Sequence, residues 1–429
     1  MKKWTWFVLL LFVLLGGTAG AEISLSGEAG AGLTVYPSFP YTSDRFESPV
    51  NLGNISGIHD VALDTDVTFR LEAGREAGTF TLWLDVNPYK MSQLLLSAAP
   101  TDPLAETLLL SDPAALSVLR ANIAWYIGQS FVLRLGRQSM FTGYGYGWNP
   151  MDFANTAKDP FDPEAELQGV DALSLQFYLG NIFSLKLAGI FRTGESIVWA
   201  DYKDLQVDAE LTASLPLLEL KLSGYYDHDD TSGEDAFVPA LGAGFMLDVA
   251  GVGIYGEGGL LWGGRTPVPL PVASSSPMRK DDLLGSALLG LQYTFSSELQ
   301  LIAEYFYNGE GYSLEERKLF NDRLLDPFAP DIYGEHVANY RPGYFARHYL
   351  LLNLGYPIYP WKTNLELSAY YSPDSGALGI MPSLELEVSG SFSVRSSYMG
   401  MFSMLADQYD EAWFSPFKHI LELRLTCYF

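Results

Sequence analysis

The feature that most constrains this chain is a two-residue alternation of apolar and polar side chains that recurs along most of its length. In 205–215 every odd position is apolar and every even position is polar, and 61–73 and 421–429 are built in much the same way. A two-residue period is typical of a β-strand with one apolar and one polar face. The segments have about the 9–11 residues that cross a bilayer as a tilted strand. The pattern therefore predicts membrane-crossing strands.

The connections between these segments also alternate, between tight turns and long loops. Eighteen segments can be counted in 22–429, of which the first, tenth and eleventh are interrupted by glycines. Short turns at one end and long loops at the other are typical of a barrel that crosses a membrane. We therefore predict an all-β fold, a transmembrane antiparallel up-and-down β-barrel of 16–18 strands, with a soluble sandwich or propeller as the alternative. The long connections are 37–59, 89–118, 139–169, 264–283, 309–345 and 403–415.

The composition excludes several other classes of protein. Only 18% of the residues are charged, the mean hydropathy is +0.08, and 41 Gly, 26 Tyr and 25 Phe are present. No apolar run after residue 21 has the roughly 20 residues of a transmembrane helix, which excludes a helical membrane protein. The formal charge of −25 excludes a basic nucleic-acid-binding protein. The single cysteine, Cys427, excludes a disulfide scaffold and a cysteine-based zinc site.

The N-terminus has the three parts of a secretory signal peptide. Lys2 and Lys3 precede the apolar stretch 4–15, and Ala19-Gly20-Ala21 forms a small-residue cleavage site. An uncleaved anchor, the alternative, needs a longer apolar core. We predict that 1–21 is removed and that 22–429 forms one outer-membrane β-barrel in a Gram-negative-type envelope.

Two segments resemble bacterial outer-membrane proteins. The last strand carries Leu421, Leu423 and Leu425 at every second position and ends in Phe429, which resembles the C-terminal assembly signal of Gram-negative-type outer-membrane proteins. The block at 135–173, with GRQ, NPMD and GVDAL in order, is similar to a strand–loop–strand block of porin-like barrels. The first resemblance implies the barrel assembly machinery and outer-membrane lipid as partners. The second implies a porin-like barrel and names no solute.

If the apolar face of each strand contacts lipid, the polar face lines an aqueous channel. On that face acidic residues outnumber basic ones, which predicts a cation-leaning channel. Basic and acidic residues of this face lie on different parts of the barrel wall. The alternative is that neighbouring charges simply pair or are solvated. A one-residue slip in register would also exchange the inward and outward faces of a strand. The predicted basic wall is Arg120, Arg134, Lys186 and Arg192, and the predicted acidic wall is Asp248, Glu257, Glu304, Glu366, Glu385 and Glu387.

The connection 139–169 is the best candidate for a loop that folds inward and constricts the channel. Its glycines at 143, 145 and 147 permit a tight entry. Folded inward, its carboxylates would face Arg120 and Arg134, whereas an external loop would leave them solvated. The predicted constriction acids are Asp152, Asp159, Asp162, Glu164 and Glu166.

These features together predict a passive channel for small hydrophilic solutes. An adhesin or structural barrel with a plugged lumen, and a substrate-selective channel without a plug, stay open as alternatives. An enzyme is not predicted, because none of the five histidines lies in a recognisable nucleophile or metal motif. No cofactor, metal site or nucleic-acid partner is predicted. A homotrimer stays open, since trimers are common among porins but no interface can be read from the sequence.

Overall fold

The structure is a computed structural model, and the predicted barrel forms in it from eighteen strands. The predicted signal peptide 1–21 and Arg192 lie outside the residues that it describes. Those residues are 22–36, 48–51, 61–88, 116–155, 157–191, 205–229, 236–270, 278–280, 282–326, 333–338, 340–405 and 409–429.

Each strand coincides to within a few residues with a segment of alternating polarity. The segments that glycines interrupt also form strands, because lipid-facing backbone must still find hydrogen-bond partners. The strands are β1 Glu22–Val35, β2 Val61–Arg75, β3 Gly78–Val86, β4 Leu116–Ile127, β5 Phe131–Gln138, β6 Val170–Leu179, β7 Phe183–Phe191, β8 Leu205–Ser214, β9 Leu218–Asp229, β10 Ala236–Val249, β11 Val252–Trp262, β12 Leu283–Thr294, β13 Gln300–Tyr307, β14 His348–Ile358, β15 Thr363–Tyr371, β16 Ala377–Ser389, β17 Phe392–Ser403 and β18 His419–Tyr428.

The sheet closes on itself. Every strand pairs antiparallel with the next one in sequence, and β1 pairs with β18 from Glu28–Tyr428 to Val35–Leu421. Beyond the last ladder pair, Gly27 and Phe429 exchange two main-chain hydrogen bonds of 2.9 Å. A Cβ on Gly27 would lie 2.3 Å from the carbonyl oxygen of Thr68, so a glycine is needed there. Closure removes the unpaired edges that an open sheet would present, and the predicted count of 16–18 resolves to 18 strands.

The apolar and polar faces point as the alternation predicts. On β18, Leu421, Leu423 and Leu425 are each more than 40% exposed on the outside of the barrel. Arg424, between them, points inward and binds the carboxylate of Asp66 on β2. The outer surface is thus apolar and the inner surface polar, the reverse of a soluble protein and typical of a membrane barrel.

The outer surface also carries aromatic side chains near both ends of the strands. Such aromatic rows are typical of the two membrane–water interfaces. Exposed members lie near the tight turns (Phe183, Phe295, Tyr359 and Trp361) and near the long connections (Trp262, Tyr305 and Phe402).

Helices occur in the described long connections. They are α1 Leu314–Leu324, α2 Tyr333–Ala338 and α3 Glu411–Phe414. Ser313 and Glu316 form a capping box at the start of α1, which satisfies two of its free N–H groups. Phe320 of α1 and Phe414 of α3 pack with Phe345 in a buried aromatic cluster. Among the described residues, none of the helices has the length and apolar character needed to cross a membrane.

Candidate functional site

The connection between β5 and β6, residues 139–169, folds into the barrel. Trp148 at its centre is fully buried, and its ring stacks on Phe306 of β13 at 5.2 Å and contacts Tyr349 of β14 at 5.6 Å. These two strands lie eight places around the ring of 18 from β5 and β6. The loop therefore crosses the lumen and packs on the opposite wall.

Two carboxylates on that wall bind the loop main chain. Glu257 of β11 accepts hydrogen bonds from the N–H groups of Tyr144 and Gly145, the latter at 2.6 Å. Glu304 of β13 accepts from the N–H groups of Tyr146 and Gly147 at 2.5 and 2.9 Å. Both carboxylates are buried. Four consecutive amides of an irregular segment are thereby satisfied in a place that water reaches poorly.

Inward-facing glycines on β10 and β11 make room for the loop. A Cβ on Gly244 would lie 2.8 Å from Sδ of Met151, and one on Gly259 would lie 2.1 Å from the carbonyl oxygen of Pro150. A side chain at Gly259 would thus collide with loop backbone, which cannot move aside cheaply. The glycines that weaken the strand pattern of these segments are the sequence signal for the docking surface.

The loop side chains extend the contact over several strands. Tyr144 donates through its hydroxyl to Glu219 of β9 at 2.9 Å, and Tyr146 donates to Glu366 of β15 at 3.3 Å. Nζ of Lys158 donates back to the carbonyl oxygens of Gly145 and Tyr146 at 2.9 and 3.1 Å. Burial lowers the pKa of Lys158. We call the strands from β9 to β15, on which the loop rests, the docked arc.

The predicted constriction acids divide into two groups. Asp152 is directed into the loop, where its carboxylate accepts from the N–H of Asn155 at 3.3 Å and from its Nδ2, and burial raises its pKa to about 6. Asp159 accepts from the N–H of Phe161 at 2.9 Å, and burial raises its pKa. The other three, Asp162, Glu164 and Glu166, are exposed on the loop surface.

The three described residues of the predicted basic wall lie on β4, β5 and β7, beside the two ends of the loop. Arg120 of β4 is 3.5 Å from Glu166 and donates to the carbonyl oxygen of Leu167 at 2.6 Å. Arg134 of β5 is half-buried, and Lys186 of β7 lies opposite Glu210 in the strand register. Of the loop acids, Glu166 is therefore the one that contacts this wall.

The predicted acidic wall is not uniform. The sequence predicts Glu257 and Glu304 as pore-lining residues, whereas the structure places both beneath the loop because its amides need acceptors. Glu366 lies 4.0 Å from Arg395, and Glu385 is opposite Arg395 in the register. The two others lie near tight turns: Asp248 accepts from the N–H of Gly251 at 3.2 Å, and Glu387 lies 3.3 Å from Lys362.

We call the strands β16–β18 and β1–β5 the charged arc. Their inward-facing Arg70, Arg134, Arg395 and Arg424 are half-buried or exposed. Arg70 stacks over Trp83 at 4.9 Å, and Arg424 binds Asp66. Among the described residues, no group of three or more His, Cys, Asp or Glu side chains could hold a metal ion.

Comparisons with known proteins found a distant similarity to solved structures of bacterial outer-membrane proteins. No family model matches the sequence, and no curated protein does. A triple mutant of Rhodopseudomonas blastica porin is 12% identical, with a TM-score of 0.45, over 95% of this chain and 100% of that chain. Salmonella typhi OmpF in complex with daunomycin is 10% identical, with a TM-score of 0.46, over 96% and 98% of the two chains. A loop-deletion mutant of OmpT, an outer membrane protein of Vibrio cholerae, is 8% identical, with a TM-score of 0.40, over 95% and 99%.

The barrel is defined by this chain's own strand pairings. The chain is an 18-stranded antiparallel β-barrel with a loop inside its lumen and the apolar outer surface that is typical of outer-membrane barrels. The fold class predicted from the sequence is confirmed.

Proposed function

We propose that the chain is an outer-membrane channel for the passive diffusion of small hydrophilic solutes. The observation that carries this proposal is the position of the loop 139–169, which packs on the docked arc and, apart from its contacts with β4, leaves the charged arc uncovered. A barrel of this size is wide enough for an aqueous channel. The passage runs between the exposed loop acids and the arginines of the charged arc.

The membrane location is supported by the outer surface of the barrel. Leucines and other apolar side chains cover it between two rows of aromatic residues, as lipid contact requires. We further propose that β18 is the strand the barrel assembly machinery reads, because Leu421, Leu423, Leu425 and Phe429 all lie on its outer face. A homotrimer remains a proposal by analogy with porins.

The passage carries charges of both signs on facing sides. Asp162, Glu164 and Glu166 lie on the loop, and Arg120 and Arg134 lie on the wall. Exposed carboxylates in a narrow passage raise the local concentration of cations. The solvent-exposed loop acids and the net charge of −25 favour a cation-leaning channel, and the arginines reduce that preference.

A barrel with a plugged lumen, acting in adhesion or as a structural protein, is the second candidate. It is favoured by the helices α1 and α3, whose aromatic cluster covers part of the end with the long connections. Deletion of external loops would abolish adhesion and would leave a pore intact.

The test is single-channel conductance of the refolded mature chain in a planar bilayer, with a salt gradient to give the reversal potential. Stable steps with a cation-leaning reversal potential are expected. Stable steps with anion preference would contradict the cation preference alone. A folded barrel without conductance would contradict the channel and move the plugged barrel to first place. Folding is checked independently by the shift in gel mobility between heated and unheated samples.

A further inference from the structure

A cavity lies between the loop and the strands from β6 to β13. It has a volume of about 670 Å³ and is lined by the loop, by these strands and by the long connections at their ends. Small-molecule sites typically have volumes of roughly 300–1,000 Å³ and combine apolar walls with a few polar groups. The cavity has a volume in this range and is lined by both apolar and charged side chains.

Arg265, which follows β11, is the best-placed polar group of this cavity. Its guanidinium carbon lies 5.1 Å from the ring centre of Tyr225 and 5.7 Å from that of Phe153. Its main-chain N–H donates to Glu310 at 2.5 Å, which fixes the segment. Among the described residues, its Nη2 atom is buried and has no hydrogen-bond partner. Because buried donors are nearly always satisfied, this atom is a candidate donor to a ligand in the cavity.

The acidic residues of the cavity, by contrast, already have donors. Glu310 accepts from the main-chain N–H groups of Arg265 and Thr266, and Asp152 accepts from Asn155. Asp227 accepts from Nε2 of Gln206 at 3.3 Å. Two further basic residues, Arg279 and Arg341, line the cavity. The cavity therefore favours an anion, although the chain as a whole is strongly acidic.

We propose that this cavity binds a small organic carboxylate. The carboxylate pairs with the guanidinium of Arg265, whose planar fork matches two carboxylate oxygens. The apolar body of the ligand lies against the rings of Phe153 and Tyr225. Because Arg265, Arg279 and Arg341 belong to the long connections, a solute from the outer side reaches the cavity before the narrow passage. Binding requires no conduction, so the proposal does not depend on channel function.

The test is isothermal titration calorimetry of the detergent-solubilised barrel with benzoate. Benzylamine and benzyl alcohol present the same ring without the anion, and inorganic phosphate presents an anion without the ring. Benzoate is expected to bind more tightly than all three. Arg265→Gln is expected to weaken benzoate binding about tenfold or more, since a hydrogen bond to a charged group contributes roughly 1.5–3 kcal/mol.

Two variants serve as controls. Arg265→Lys keeps the charge and loses the planar fork, so its affinity is expected to lie between those of the wild type and Arg265→Gln. Arg75→Gln removes the same charge at an exposed position beside a tight turn and is expected to leave benzoate binding unchanged. Gel mobility before and after heating shows that each variant is folded.

Three results would overturn the proposal. They are the lack of benzoate binding to the folded wild type, binding of benzylamine or benzyl alcohol as tight as that of benzoate, and full retention of benzoate affinity in folded Arg265→Gln. Phosphate bound as tightly as benzoate would also overturn it, because the site would then recognise a bare anion.

Discussion

The docked arc and the charged arc are built from the same alternating strands, yet their inner surfaces are used in opposite ways. On the docked arc, Glu257 and Glu304 are buried under the loop and bound to its amides. On the charged arc, Arg134 and Arg424 keep access to solvent. The polarity pattern alone does not distinguish the two arcs.

The two arcs differ in the residues that surround their inward-facing charges. The docked arc offers inward glycines, such as Gly244 and Gly259, which let loop backbone approach, and buried carboxylates that accept from that backbone. The charged arc offers long arginine side chains that fill space themselves. A loop can dock where its backbone finds room and acceptors, and the proposed passage lies where neither is supplied.

The largest effect is expected from the removal of the central loop anchor. Trp148→Ala deletes a fully buried ring that stacks on Phe306, and such a change typically costs about 3–5 kcal/mol. The loop should undock, with rapid proteolysis between 139 and 169 and a noisier, larger conductance. Trp361→Ala is the matched control, because Trp361 is 70% exposed on the outside. Unchanged protease resistance in Trp148→Ala would show that the loop is held elsewhere.

The next effect concerns the packing of helix α3 against β14 and depends on pH. Glu411 of α3 accepts from the hydroxyl of Tyr349, and burial raises its pKa from 4.5 to about 7. Glu411 thus holds its proton more tightly when α3 is packed against Tyr349 than when α3 is released. The packing of α3 therefore weakens as pH rises from about 4.5 through about 7. The change is at most about 3 kcal/mol, at about 1.4 kcal/mol per pH unit.

Amide hydrogen exchange at Trp413, Phe414 and Ser415 measures this docking, since their N–H groups form the hydrogen bonds of α3. Protection should fall with rising pH in the wild type, after correction for intrinsic exchange. The protection should be independent of pH in Glu411→Gln, because a glutamine at position 411 does not ionise. Glu315→Gln, on the exposed surface of α1, is the control and should retain the wild-type profile. A pH dependence that persists in Glu411→Gln would assign the effect to another group.

A smaller effect is expected from the wall carboxylates taken singly. Glu304→Ala leaves the N–H groups of Tyr146 and Gly147 without their acceptor, which costs roughly 1–3 kcal/mol for each group that water cannot reach. The loop should stay docked on average and should open more often, seen as current flicker. Glu385→Ala removes the same charge from a residue of the charged arc and should not cause flicker. Equal flicker in both variants would show that the carboxylates of the two arcs do not differ in their effect on the loop.

The smallest effect is expected from single charges of the charged arc. Arg134→Gln removes one positive charge from the inner wall and should shift the reversal potential further toward cation preference, by a few millivolts at most because salt screens the remaining charges. Arg75→Gln makes the same change at an exposed turn and should leave the reversal potential where it was. A shift of the same size in Arg75→Gln would place the selective region at the turn end of the barrel.

The barrel could be predicted from the sequence because lipid imposes one rule on every strand. Each strand must present apolar residues outward at every second position, so segments such as 205–215 are visible on their own. The length of the loop 139–169 and its glycines make it the best candidate for an inward loop, with an external loop as the alternative that the sequence leaves open. These are local features, and they suffice for the fold.

The partners of the loop could not be predicted in the same way. Glu257 is 112 residues from Gly145 in sequence, and Glu304 is 157 residues from Gly147. Which carboxylate meets which amide depends on the closure of the barrel and on the path of the loop, and neither leaves a periodic signal. Alternation indicates only that both glutamates face inward. An inward residue can either contact water or lie beneath the loop.

We propose that solutes pass along the charged arc and not along the docked arc. Ser397 of β17 and Ser223 of β9 both face inward, and the hydroxyl of Ser223 lies 3.4 Å from the carbonyl oxygen of Met151 in the loop. Each is replaced by cysteine in a Cys427→Ser background, and single-channel current is recorded while a charged thiol reagent is added. Modification of Ser397→Cys should change the current promptly, and Ser223→Cys should be protected. Prompt modification of Ser223→Cys with no response from Ser397→Cys would contradict the account.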